Sequence, residues 1–76
     1  MSYEYRSAHG VIRLVRVRGR WRVEFGGARR GDWPSASDAA AAVARRASGL
    51  DTWDRVGSPG DVPEDLLDWT PLRENL

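Results

Sequence analysis

Hydrophobic and polar positions alternate with a period of two in the first third of the chain, then shift to a helix-favouring run, and this change of pattern sets the expected elements. Residues 21–25, WRVEF, place Trp21, Val23 and Phe25 on one side and Arg22 and Glu24 on the other, the mark of a half-buried strand. The preceding stretch, VIRLVRVR over 11–18, is rich in β-branched residues, and Gly19 followed by Arg20 supplies a tight turn, so 11–25 reads as a β-hairpin. Simple alternation in its first strand mixes charge into both faces. A one-residue bulge near Leu14 and Val15 would reset the phase, turning Ile12, Leu14 and Val17 inward and Arg13, Arg16 and Arg18 outward, and that bulge is expected.

Gly26 and Gly27 form the next turn, and 28–33, ARRGDW, fits a short third strand anchored by Trp33 and closed by Pro34. Ser35 is a good N-cap, with Asp38 completing a capping-box pattern, and the alanines that follow favour a helix from about Ala36 to Ser48. Gly49 suits its C′ position, and Arg45 and Arg46 complement the helix dipole. This helix offers little but alanine and Val43, so the expected core draws its bulk from elsewhere: Trp21, Phe25, Trp33, Val43, Leu50 and Trp53. Residues 1–9 read as a leader or a short edge strand carrying Tyr3 and Tyr5. The fold class expected is α+β: a three-stranded antiparallel sheet with one helix packed on one face (β-β-β-α), plus a short C-terminal helical segment. It divides into a domain over 1–56 and an acidic Gly/Pro-containing tail over 57–76, in which Asp61 caps a helix that Pro71 ends.

A chain of 76 residues holds one small core. Without cysteine and with a single histidine, His9, it offers no thiolate zinc site, disulfide or cysteine nucleophile, so no metal and no cofactor is expected. No cleft-forming carboxylate pair or phosphate loop is evident, so neither catalytic residues nor a small-molecule substrate is expected, and the protein is read as non-enzymatic. The absence of a membrane-length apolar run points to a soluble, cytoplasmic protein with no membrane partner. The net charge of +1 conceals an asymmetry: residues 1–50 carry ten arginines against four acids, whereas 51–76 carry two against seven.

Residues 10–48 as a whole resemble the AP2/ERF-type DNA-binding domain. The resemblance is carried by Gly10-Val11 entering an Arg-rich strand, by Gly19-Arg20-Trp21-Arg22-Val23-Glu24-Phe25 at the position of the family's G-[KR]-W-x-A-x-I segment, by Arg30-Gly31-Asp32-Trp33 near its Leu-Gly-x-Phe turn, and by Ala39-Ala40 in an alanine-rich helix. Asp32 with Trp33 departs from that pattern. The resemblance implies a β-β-β-α fold whose exposed sheet face enters the DNA major groove, with Arg13, Arg16, Arg18, Arg20 and Arg22 on phosphates and guanine edges.

The residues alone give a basic face and two readings of it. Arginines about 7 Å apart along a strand can follow a phosphate backbone, which makes duplex DNA the first expected partner and Arg13, Arg16, Arg18, Arg20 and Arg22 the candidate site. Alternatively the protein is a protein-interaction or structural domain, such as a phage or mobile-element adaptor or inhibitor, with a protein partner or self-association. In that reading the basic face is covered by a partner or by the chain's own acidic tail through Asp61, Glu64, Asp65, Leu66 and Trp69. The position of residues 61–72 separates the two.

Overall fold

The computed structural model describes residues 2–72. Four strands follow one another as a meander, β1 (Ser2–Ser7), β2 (Gly10–Val17), β3 (Arg20–Phe25) and β4 (Ala28–Trp33). Helix α1 (Ala36–Ala44), a single-turn helix α2 (Asp51–Asp54), a 3-10 turn (Leu66–Asp68) and a short strand β5 (Thr70–Leu72) complete the order. All five strands join one antiparallel sheet, β4-β3-β2-β1-β5. This corrects the expected three-stranded β-β-β-α fold: the molecule is mostly sheet, with one main helix. The two additional strands lie on the β1 side. Residues 2–7 take the strand rather than the leader reading, with Tyr3 and Tyr5 opposite Leu14 and Ile12, but β1 lies between β2 and β5 rather than at the edge, and three-residue β5 is too short to show a period.

Two of the hairpins close on two-residue loops, Arg18–Gly19 and Gly26–Gly27, in which every residue has positive φ. That conformation matches the twist of the flanking strands. The bulge expected at Leu14 and Val15 is absent, because β2 pairs with both neighbours in unbroken register. Arg16 therefore shares the helix side of the sheet with Ile12 and Leu14, while Val17 turns to the other side with Arg13. No phase reset is needed, since Arg16 lies near the end of the strand and remains exposed. The irregularity falls instead in β4, where Trp33 pairs with Trp21 but Arg30 pairs with Val23, one extra residue being absorbed around Gly31 at φ +112°.

Ser35 caps α1, its hydroxyl accepting from the Asp38 N–H at 3.1 Å and donating to the Asp38 carboxylate at 3.0 Å. The helix is shorter than expected. It ends at Ala44, and Arg46 rather than Gly49 occupies the C′ position, left-handed at φ +57°, while Gly49 has a positive φ of its own, +88°, three residues on. The Asp54 carboxylate then accepts from the Ser48 and Gly49 N–H groups and the Ser48 hydroxyl, which steers the chain into α2.

The core lies between α1 and one sheet face. Ile12, Leu14, Val23, Ala39, Ala40, Val43, Leu50, Trp53, Val62 and Trp69 are buried, with Tyr3, Tyr5, Trp21, Phe25 and Trp33 packed partly buried against them. Of the expected core, Val43, Leu50 and Trp53 are fully enclosed, whereas the other three aromatics rim it. Trp53 is the keystone: its indole donates to the Val43 carbonyl at 2.9 Å, and Phe25 meets it edge-on at 5.1 Å between ring centres. The expected tail contributes to this same core through Val62 and Trp69. Trp69 contacts Tyr5 and donates to the Pro63 carbonyl. No helix starts at Asp61. Only the 3-10 turn forms, capped by Asp65, and Pro71 sits in β5. Residues 73–76 of the expected tail lie outside the described residues. Among the described residues no helix is long and apolar enough to cross a membrane.

Candidate nucleic-acid interface

Cross-strand register sorts the five candidate arginines into three environments. Arg13, Arg20 and Arg22 share the sheet face opposite α1 with Val11, Val15, Val17, Glu4, Glu24 and Arg29. Arg16 stands on the helix side opposite Trp21, and Arg18 occupies the β2–β3 turn. The single outward face expected from a bulged strand is therefore not what the strand presents. Arg16, Arg18 and Arg20 gather at the tip of the β2–β3 hairpin, with Arg22 a residue pair further in. A depression of 290 Å³ there is lined by Val17, Arg18, Arg20, Trp21, Arg22, Gly31 and Asp32.

The arginines also differ in what holds them. Glu4 lies between Arg6 and Arg13, with N···O distances of 3.7 and 3.6 Å, and Arg22 donates to Glu24 at 3.2 Å. Arg20 is gripped from two sides by Asp32, donating at 2.8 Å to both its carboxylate and its backbone carbonyl. Arg16 and Arg18 have no carboxylate partner among the described residues. In one line across the sheet, Glu4, Arg13, Glu24 and Arg29 stand directly opposite one another in adjacent strands. This row alternates in sign and neutralises itself. Glu4 and Arg29 were not among the candidates, although the Ser-Tyr-Glu-Tyr-Arg alternation at the N-terminus held the signal for Glu4.

The acidic tail meets different arginines from those expected. Asp61 pairs with Arg46 at 2.7 Å and approaches His9 at 3.8 Å, and Glu64 pairs with Arg45. Asp65 caps the 3-10 turn, while Leu66 and Trp69 pack on the core from the helix side. The partners of these five residues are Arg45, Arg46, the 3-10 turn and the core, rather than Arg13 or Arg22. Arg46 is an unforeseen centre. Its side chain is only 5% exposed, its Nε donates to the Val56 carbonyl at 2.8 Å, and its guanidinium stacks 3.9 Å above the Trp53 ring. Partial desolvation acts most strongly on the Asp61 carboxyl and opposes its ionisation. The Ser58 N–H, the Arg46 bond and charge, and the His9 charge together outweigh it and hold the group below the ordinary carboxylate range.

Among the described residues no group of three or more His, Cys, Asp or Glu side chains is arranged to hold a metal ion. The chain matches no protein-family model, no curated protein and no solved structure. The resemblance to AP2/ERF-type domains thus rests on the quoted residues alone.

Proposed function

We propose that this protein is a small non-enzymatic module that binds duplex DNA through the arginine-bearing tip of the β2–β3 hairpin. The observation that carries this reading is the gathering of Arg16, Arg18 and Arg20 at one end of the sheet, all three exposed. Dimensions favour the tip over the whole face. Five strands span about 19 Å, whereas the major groove is about 12 Å wide and admits a two-stranded ribbon. Arg16 and Arg18 provide two ready phosphate ligands, and Arg20 joins them by exchanging Asp32 for phosphate. Arg13 and Arg22, tied to Glu4 and Glu24, add to the field rather than to the contacts.

Fluorescence anisotropy with a labelled duplex tests this at two salt concentrations. Three phosphate contacts predict an affinity loss of about 40-fold between 50 and 200 mM salt. The Arg16→Ala/Arg18→Ala variant loses most of the binding, while Arg13→Ala changes it little. Absence of salt-sensitive binding in the wild-type chain, or equal binding by the double variant, refutes the proposal.

A further inference from the structure

One cross-strand row on the sheet face opposite α1 carries a charge pattern that is its own complement. Read from β1 to β4, the cross-strand row Glu4, Arg13, Glu24, Arg29 runs minus, plus, minus, plus. Reversed, it runs plus, minus, plus, minus. A two-fold axis parallel to the strands and midway between β2 and β3 lays β2 of one copy over β3 of the other, and β1 over β4. Every charge in the row then faces its opposite: Arg13 meets the second copy's Glu24, and Glu4 meets its Arg29. We infer that this face is the contact surface for a second copy of the chain, related by that axis.

Two further features fit the same axis. Val11 is 40% exposed, and it lies level with Gly26, because Ile12 pairs with Phe25. The axis carries Val11 of one copy over the Gly26–Gly27 turn of the other. That turn opens into a depression of 230 Å³ on this face, and a β-carbon built on either glycine meets nothing within 4 Å. An exposed aliphatic side chain thus falls where the partner lacks one. One row further along, Val15 pairs with Arg22, so the axis sets each valine under the aliphatic stem of the other copy's Arg22, a contact that leaves the guanidinium at the rim. The packed faces would lie about 10 Å apart, as aligned sheets do. The complementarity is charge-based and the face is small, so the dimer is weak and concentration-dependent.

This inference does not rest on DNA binding, and it is tested without DNA. Sedimentation equilibrium of the full chain from micromolar to millimolar concentration should show a monomer–dimer equilibrium. Glu24→Arg puts like charges face to face at both symmetric contacts and should weaken association by about 100-fold. Arg29→Glu, on β4, should do the same by opposing Glu4, and it serves where Glu24→Arg fails to fold by circular dichroism. The Arg13→Glu/Glu24→Arg exchange is decisive: its row runs minus, minus, plus, plus, which is again self-complementary under the axis, although its neighbours within one chain now repel. Association should return to within about 10-fold of the wild type. A wild-type chain that stays monomeric throughout, single variants that associate like the wild type, or a folded exchange variant that stays monomeric would each overturn the inference.

Discussion

Arg46 is the side chain whose removal should cost most relative to its appearance in the sequence. Its guanidinium supplies the Nε donor to the Val56 carbonyl at 2.8 Å and covers the Trp53 ring at 3.9 Å, in a position only 5% exposed. Arg46→Ala leaves the left-handed backbone as demanding as before, because alanine and arginine are penalised alike at φ +57°. The loss is therefore that of the side chain. Stranding a part-buried carbonyl costs about 1–3 kcal/mol, and losing a desolvated cation–π contact costs about 1–2 kcal/mol more. The ion pair with half-exposed Asp61 is left out of that figure because solvent screens it. A total near 3 kcal/mol is a large share of the stability of a domain this small. It should lower Tm by about 12–24 °C in a thermal scan followed by circular dichroism. Arg46→Lys retains the charge but not the planar fork, and should fall between. A Tm shift below about 3 °C for Arg46→Ala would show that the stacked guanidinium contributes nothing net, and the reasoning would fail.

Four other outcomes follow from the same structure. Trp69→Ala removes a buried indole that joins the last segment to Tyr5 and the core, and should cost about 3–5 kcal/mol in urea unfolding. Gly31→Ala would place a β-carbon into the Trp33 indole nitrogen at φ +112°, so it should destabilise by about 1–3 kcal/mol in the same assay, whereas Gly19→Ala meets no neighbour and pays for backbone strain alone. Leu67 is 90% exposed, and Leu67→Ser should change unfolding free energy by no more than about 0.5 kcal/mol. The depressed Asp61 carboxyl contributes stability that is fully present above its unfolded value of 3.8 and is lost as pH falls through its lower folded value. Acid unfolding below pH 4 should therefore be less steep in Asp61→Asn than in the wild type.

The hairpin, the Ser35 cap and the glycine turns were legible because each depends on neighbours in sequence. Trp21, Val23 and Phe25 face the core as their alternation requires, and Ser35 and Asp38 exchange the hydrogen bonds that their spacing allows. What could not be read was long-range. β5 exists because three residues find the free edge of β1, and no local pattern in Thr70-Pro71-Leu72 announces it. A bulge in β2 follows from the alternation only if charge is barred from the helix side. Near the end of β2 that side is open to water, and Arg16 can occupy it without burial. The helix stops short of Ser48 because the capture of Ser48 and Gly49 by Asp54, from beyond the helix, competes with a further turn.

The candidate site shows why distance along the chain is a poor guide to electrostatic pairing. The acids of residues 51–76 seemed to exist for the arginine ribbon, yet those that pair across the fold reach Arg45 and Arg46 at the end of α1, because the tail must lie on the helix side to bury Val62 and Trp69. Hydrophobic burial, at about 25 cal/mol per Å² over two large side chains, outweighs the screened attraction between exposed charges. The ribbon is left to be neutralised by acids of its own strands, Glu4, Glu24 and Asp32. Of the ten arginines in residues 1–50, Arg16, Arg18, Arg29 and Arg30 then lack a carboxylate partner among the described residues. Two of the four stand at the hairpin tip and one at the end of the self-complementary row. The two-fold axis that would engage Arg29 also brings both hairpin tips to the same end of the pair, with Arg20 in the seam opposite the second copy's Val17 and Arg16 and Arg18 outside it. Both proposals therefore draw on charge that folding leaves over, and they are compatible in one assembly as far as Arg16 and Arg18, which lie outside the seam, make the phosphate contacts.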